Sequence, residues 1–413
     1  MNNQQIQAVI ESFPRQQFPG LETIGVGNKT TAGVTSSETT VVFGVKQKKS
    51  KNDLPEEQIL PNMIQTEHGS IQTDVVEDTL EWEFELDCPD MTSEQIDEHR
   101  MKHRPIIGGV SVGTGSENNK FRVGTLGVLV IDQTDGQVVG LTNNHVLTPD
   151  VFSLAADQRQ SIGYKDVDIY QPSRAETGGQ AIAEHKIGHV KRVYPISSTG
   201  VNEIDAGLIS IDPEALVDQT SGRVLNLLDD TGQGNVLSIP FATTLEIDLL
   251  QKNRTPLFKS SRTTGAIGNH FSPEQSKARN RCSLQVELMN YTPRVTGRSF
   301  TNIMRYFDPN DTDKIDPSAG GDSGSLICGW IEGQWKAVGL HFAGSRNSGV
   351  DYGLMCRMDR VAELLNIAQF DPENVDIATT PTYRVISGYS DQMYVEIDGV
   401  TYWQIARTTD PVT

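Results

Sequence analysis

The sequence predicts a mostly β protein built from short antiparallel strands. Three observations carry that reading. Between residues 106 and 370, apolar or alternating runs of roughly four to eight residues recur between turn-forming clusters. Two-residue hairpin signals punctuate these runs at Asp135-Gly136 and Glu332-Gly333. Helical periodicity is confined to a few short stretches, at 5–13, 92–103 and 358–367.

The chain has 413 residues, room for two or three domains and a large core. Hydrophobic residues make up 36%, and no apolar run approaches the ~18 residues that would span a bilayer. Net charge is −19, from 54 acidic and 35 basic residues. That balance opposes non-specific binding to nucleic acid or anionic lipid, so neither partner is expected. The start, Met1-Asn2-Asn3-Gln4-Gln5, lacks the basic-then-apolar pattern of a secretory signal. The four cysteines, Cys88, Cys282, Cys328 and Cys356, show no metal-ligand spacing. Free thiols in a reducing cytoplasm, with no metal and no cofactor, are the expectation.

In chain order, residues 1–90 read as a separate small α+β domain. Residues 5–13 place Ile6, Val9, Ile10 and Phe13 on one helical stripe. Strands are expected at 20–27, 39–45, 73–77 and 80–86, with the lysine-rich 46–51 as a solvated strand end. Residues 91–105 read as a helical linker, opened by a Thr92/Gln95 capping box and closed by Pro105. His99 and His103 lie four apart there, but Arg100 stands where a helical zinc-protease motif wants glutamate. The strand unit spans 106–370. In it, 124–131 and 137–141 form the Asp135-Gly136 hairpin, and 150–185 reads as a polar surface insertion. Strand character resumes at 186–195, and 282–289 alternates as a further strand. The 328–342 stretch is a hairpin, and 358–367 is a short amphipathic helix. Residues 371–413 form an extension with strand potential around the Asp398-Gly399 turn.

The chemistry concentrates in three strings. Gly320-Gly321-Asp322-Ser323-Gly324 precedes the apolar run Leu326-Ile327-Cys328. A serine hydroxyl is a weak nucleophile and needs a base for its proton and donors for the oxyanion. Glycines let backbone N–H groups converge, which makes the amides of Gly321 and Ser323 the candidate oxyanion donors. Upstream, Thr142-Asn143-Asn144-His145 follows an apolar strand and supplies a base. Asn202-Glu203-Ile204-Asp205 places a carboxylate at the mouth of another, with Glu203 as a local rival.

These strings, in the order His145, Asp205, Ser323, resemble the trypsin-like (chymotrypsin-fold) serine peptidases. The order and the Ser325 position oppose the α/β-hydrolase pattern, which needs Gly-x-Ser-x-Gly and Ser, Asp, His. The resemblance implies two six-stranded antiparallel β-barrels over 106–370 with a closing C-terminal helix. It implies a serine endopeptidase acting on protein or peptide substrates through an acyl-enzyme. A catalytically silent protease-fold scaffold and a serine esterase are the alternatives. The cysteine that secreted relatives carry after the catalytic histidine is replaced by Val146. Ile106-Ile107-Gly108-Gly109 resembles the mature N-terminus of such enzymes, yet Pro105 precedes it, so a single-chain enzyme is expected. The 259–268 string, Lys259 to Gly268, resembles the segment that begins the second barrel. The primary specificity pocket would involve Asp316, Pro317, His341, Phe342, Ala343 and Gly344. The Gly339-Leu340-His341-Phe342 string resembles the glutamyl-endopeptidase branch and implies acidic substrates, whereas Asp316 would favour basic ones. Residues 1–105 or 371–413 are where a regulatory partner or self-association would act.

Overall fold

A computed structural model of the chain describes residues 3–31, 34–78, 98–114, 122–148, 167–197, 199–215, 217–218, 220–229, 236–268, 284–295, 298–309, 317–345, 352–372, 383–389, 392–397 and 400–404. Helix α1 (Asn3–Ser12) leads into β1 (Leu21–Thr31), β2 (Val34–Val45), β3 (Met63–Thr66) and β4 (Gly69–Glu77). Next come β5 (Val110–Thr114), β6 (Arg122–Leu126), β7 (Val128–Asp132), β8 (Val138–Thr142) and the one-turn helix α2 (Asn144–Leu147). Then follow β9 (Asp168–Tyr170), β10 (Lys186–Val193), β11 (Val201–Asn202) and β12 (Gly207–Ile211). Helix α3 (Thr244–Asn253) precedes β13 (Leu257–Ser261), β14 (Gly265–Gly268), β15 (Gln285–Thr292), β16 (Arg294–Val295), β17 (Arg298–Phe300) and β18 (Ile303–Phe307). The chain continues through β19 (Leu326–Ile331), β20 (Gln334–Ser345), β21 (Tyr352–Arg357), helix α4 (Met358–Leu365) and β22 (Ile367–Gln369). It ends on β23 (Tyr383–Tyr389), β24 (Gln392–Ile397) and β25 (Val400–Gln404), a separate three-stranded antiparallel sheet.

The protein is mostly β, as expected, and its site lies between two large sheets. One has eight strands in the order β22-β7-β8-β12-β10-β9-β5-β6. The other has eleven, β14-β13-β19-β20-β21-β18-β15-β1-β2-β4-β3. The strand numbers differ from six and six. Setting aside short β9 and β22 leaves six in the first sheet, and setting aside β1 to β4 leaves seven in the second. The α+β segment therefore shares a sheet with the rest of the chain, because β1 pairs antiparallel with β15. Ile6, Ile10, Val41 and Phe43 belong to the same apolar core as Leu326 and Leu354.

Local chemistry explains the turns. Glu332 and Gly333 both have positive φ, 52° and 81°, the conformation that a two-residue hairpin needs to match strand twist. Helix α4 buries Met358, Val361 and Leu365, and Asn366 ends it with φ 48°. β22 then crosses back to pair with β7, tying the closing helix to the first sheet. The second half of the expected 150–185 surface insertion is ordered differently: β9 pairs with both β5 and β10, and Gln171 and Ser173 are buried. Its first part, 150–166, lies outside the described residues, as do the expected strand at 80–86 and the first half, 92–97, of the expected helix at 92–103.

Candidate active site

Strand β8 delivers Asn143 and α2, and α2 carries His145. The imidazole is 4% exposed, and its Nδ1 lies 2.5 Å from Oδ2 of Asp205, which is fully buried. A carboxylate can only accept, so Nδ1 carries the proton and Nε2 is the basic nitrogen. The backbone N–H of His145 donates to Oδ1 of the same carboxylate at 3.1 Å, fixing its plane. Asn143 Nδ2 donates to the Asp205 carbonyl at 2.6 Å, and the Asp205 N–H reaches Cys356 Sγ at 3.3 Å. The rival Glu203 turns elsewhere and pairs with Arg360 Nε at 2.9 Å.

Ser323 sits in the loop before β19 and is 2% exposed. Its hydroxyl has no hydrogen-bond partner among the described residues. Strand β6 brings this loop against the histidine. The Thr125 N–H donates to the Ser323 carbonyl at 2.7 Å, and Thr125 Oγ1 donates to the Gly321 carbonyl at 2.9 Å. Thr142, three residues before His145, donates from Oγ1 to the Thr125 carbonyl at 2.8 Å. Gly124 sits at this contact. A Cβ there would meet Val146 Cγ2 at 2.5 Å and the Ser323 carbonyl at 2.8 Å, so one glycine separates the histidine helix from the serine loop.

The loop's amides divide into two sets. Those of Asp322, Gly324 and Ser325 donate to the carbonyls of Ala319, His341 and Asp322. Those of Gly321 and Ser323 donate to no backbone carbonyl among the described residues. Gly321 has φ +96°, a left-handed conformation in which a side chain would be strained.

Asp322 turns inward and is fully buried. It accepts from Lys259 Nζ at 2.6 Å, Thr264 Oγ1 at 2.7 Å, the N–H groups of Thr263 and Thr264 at 3.0 Å each, and the Ala319 N–H at 3.1 Å. Lys259 and Asp322 are both fully buried. Burial alone would push this carboxyl up, but the Lys259 ammonium and the hydrogen bonds outweigh it and hold it well below the usual carboxylate range. An internal lysine thus occupies the position that a cleaved isoleucine amino terminus would take. Ile106 is itself fully buried within the continuous chain. The sequence singled out the Lys259 segment but not this pairing. The available signal was a lone lysine in β13, all five of whose residues are buried.

The expected pocket residues lie on either side of the serine. The His341 N–H donates to the Ser325 carbonyl at 2.9 Å, and the His341 carbonyl accepts from Gly324, which stitches β20 to the loop. The His341 ring is buried, with Nδ1 2.9 Å from the Tyr306 hydroxyl. Pro317, Ala343 and Gly344 are buried, and Asp316 lies outside the described residues. Phe342 points the other way, its ring 5.1 Å from that of Phe300 in the core. Cys328 and Cys356 are free and buried, and burial pushes both thiols far up; Cys88 and Cys282 lie outside the described residues. His99 and His103 serve separate backbone carbonyls, Gly109 at 2.7 Å and Glu98 at 2.8 Å.

No protein-family model and no curated protein matches this chain. Solved structures do. One is a glutamic-acid-specific serine protease that uses a histidine triad in substrate binding, at 16% identity and TM-score 0.39, covering 64% of this chain and 100% of that one. Another is protease A of Thermobifida fusca, at 15% identity and TM-score 0.35, covering 64% and 97%. A third is a chymotrypsin of Cellulomonas bogoriensis, at 13% identity and TM-score 0.36, covering 64% and 98%. These superpositions are loose, and the chemistry of the site rests on its own geometry. The solved structures to which the chain is similar are chymotrypsin-fold serine proteases, the resemblance its motifs imply.

Proposed function

We propose that the chain is a serine endopeptidase that works through His145, Asp205 and Ser323. The observation that carries this is the buried pair of His145 and Asp205 at 2.5 Å, set one glycine away from a buried serine whose hydroxyl is uncommitted. His145 Nε2 takes the Ser323 proton as the hydroxyl attacks the scissile carbonyl, and later returns it to the leaving amine. Asp205 holds the imidazole tautomer and stabilises the cation that forms. The N–H groups of Gly321 and Ser323 receive the oxyanion, where one donor contributes roughly 3–4 kcal/mol to the transition state. Water then releases the acyl group by the same proton path in reverse.

Acidic residues are the preferred side chains at the cleaved bond in this reading. A Tyr306 phenol that donates to Nδ1 of His341, 2.9 Å away, would leave the ring's own proton on Nε2, the donor that a substrate carboxylate needs. The buried free thiols Cys328 and Cys356 suit a reducing, cytoplasmic setting. The N-terminal segment controls the site through the shared sheet. Asp78, which follows β4, binds the buried Tyr291 and Tyr352 hydroxyls and lies 3.4 Å from Arg305, the neighbour of Tyr306.

The test compares wild type with Ser323→Ala, using a fluorophosphonate probe and a peptide library. Labelling and cleavage after Glu or Asp that vanish in the variant are expected. Unlabelled wild type would indicate a silent scaffold, labelling without peptide cleavage would indicate an esterase, and cleavage after Lys or Arg would remove the acidic preference.

A further inference from the structure

The oxyanion donors are backbone amides, and an amide has no rotamer that packing can lock. Its direction is set by the peptide unit that contains it. In a trans peptide the C=O and the N–H point to opposite sides. Anchoring the carbonyl therefore aims the N–H. The Gly321 N–H shares its peptide with the Gly320 carbonyl, and this unit lies between two glycines, where side-chain sterics restrain it least.

The Gly320 carbonyl is held by a side chain. Thr263 Oγ1, in the turn between β13 and β14, lies 2.7 Å from it and donates. The direction of that hydroxyl is fixed in turn, because Arg262 Nη1 donates to the same oxygen at 3.1 Å. Arg262 is itself anchored by Nε at 2.6 Å from Glu176 Oε1. No backbone N–H among the described residues shares the Gly320 carbonyl. The second donor is secured differently. The Ser323 N–H shares its peptide with the Asp322 carbonyl, which accepts from both the Ser325 N–H and the Ser325 hydroxyl.

We infer that Thr263 is a positioning residue for the oxyanion hole, a hydroxyl latch that turns the Gly320–Gly321 peptide so that its N–H faces the reacting carbonyl. This inference rests on the serine-hydrolase reading above and assigns Thr263 no contact with substrate. The Ser323 N–H has the duplicate anchor at Ser325, so the Gly321 N–H is the donor more easily lost. The Glu176–Arg262–Thr263 chain carries the latch back to the first sheet, since Ser111 of β5 also donates to Glu176, at 3.0 Å.

The experiment uses the full chain with Thr263→Val, which keeps the shape and removes the donor, and Thr263→Ser, which restores it. Thr263→Ala removes the same hydroxyl without filling its place and serves if valine is not accommodated. Peptide hydrolysis and the affinity of a peptide aldehyde, whose adduct carries the oxyanion, are measured together. The expected result is a fall in kcat of about 10- to 100-fold, short of the ~10²–10³ lost when a donor is deleted outright. KM should hardly change, aldehyde affinity should fall in parallel with kcat, and the serine variant should recover both. Ser325→Ala should cost less, because the Ser325 N–H remains. Wild-type kcat and aldehyde affinity in Thr263→Val, a loss confined to KM, or a serine variant as poor as valine would each overturn the latch. A wild type that no fluorophosphonate labels would defeat the catalytic reading instead. A crystal structure of Thr263→Val then judges the latch alone: a turned Gly320–Gly321 peptide supports it, and an unmoved one overturns it.

Discussion

Replacing Lys259 with methionine keeps the length of the side chain and removes its charge. Lys259 and Asp322 form a fully buried pair at 2.6 Å. Deleting one partner of such a pair costs about 3–5 kcal/mol, because the remaining charge stays buried without its counter-ion. Four hydrogen bonds to Asp322 would survive, so the lower half of that range is expected. That is still a large share of the ~5–15 kcal/mol by which domains are stable. The pH dependence follows from the depressed folded-state pKa of Asp322. Its stabilisation is fully present above the unfolded carboxylate value of about 3.9 and is lost as pH falls from there through the folded value. Without the ammonium, the upward push of burial meets less opposition, so the acid limb of stability moves to higher pH. Urea unfolding from about pH 3 to pH 8 measures both effects. Lys259→Met/Asp322→Asn, which removes both charges, should recover part of the loss. A single variant with the wild-type urea midpoint at neutral pH and an unshifted acid limb would refute the reasoning.

Three further outcomes are expected. Asp205→Asn should lower kcat by about 10⁴-fold, because an amide donor facing Nδ1 of His145 forces the wrong tautomer; a loss under tenfold would remove Asp205 from the mechanism. Tyr306→Phe deletes the hydroxyl on Nδ1 of His341, so the ratio of cleavage after Glu to cleavage after Ala should fall about five- to tenfold, the worth of one hydrogen bond. Paired peptides measure that ratio, and an unchanged value would count against His341 as an acid-binding group. Asp78→Ala leaves the hydroxyls of Thr23, Tyr291 and Tyr352 without their shared acceptor and strips one carboxylate from Arg305, which keeps Glu287 at 2.6 Å. Stability should drop by about 3–5 kcal/mol by urea unfolding, with lowered turnover if the N-terminal segment controls the site.

What the sequence made legible was local. The hairpin turns, the closing helix and the three motif strings all carry their signals within a few residues. The proximity of His145 to Asp205 followed from motif order, and the structure separates Asp205 from Glu203 by giving Glu203 a partner, Arg360. The unread features are pairings across long stretches of chain. Lys259 meets a carboxylate 63 residues later, and neither neighbourhood names the other. The union of β1 with β15 has no periodicity signal at all, since alternation reveals a face and not a neighbour. Helix α3 has a full capping box at Thr243 and Glu246 but only two buried positions, Ile247 and Leu250, too few to stand out as a stripe. Thr125, Thr142 and Thr263 look like ordinary strand and turn threonines until their hydroxyls are placed on the serine loop and its supports.

The joining of β1 to β15 also bears on how the protein can be dissected. Cutting away the first 77 residues would leave β15 paired with β18 alone and bare the N–H and C=O groups that now face β1. Beside them lie Val286, Leu288, Met289 and Tyr291, all buried in the intact chain. An apolar rim of that kind is a template for aggregation. A shortened protein that is insoluble or inert would be reporting an uncapped sheet, so the segment's influence on the site is better probed by point changes at the seam than by its removal.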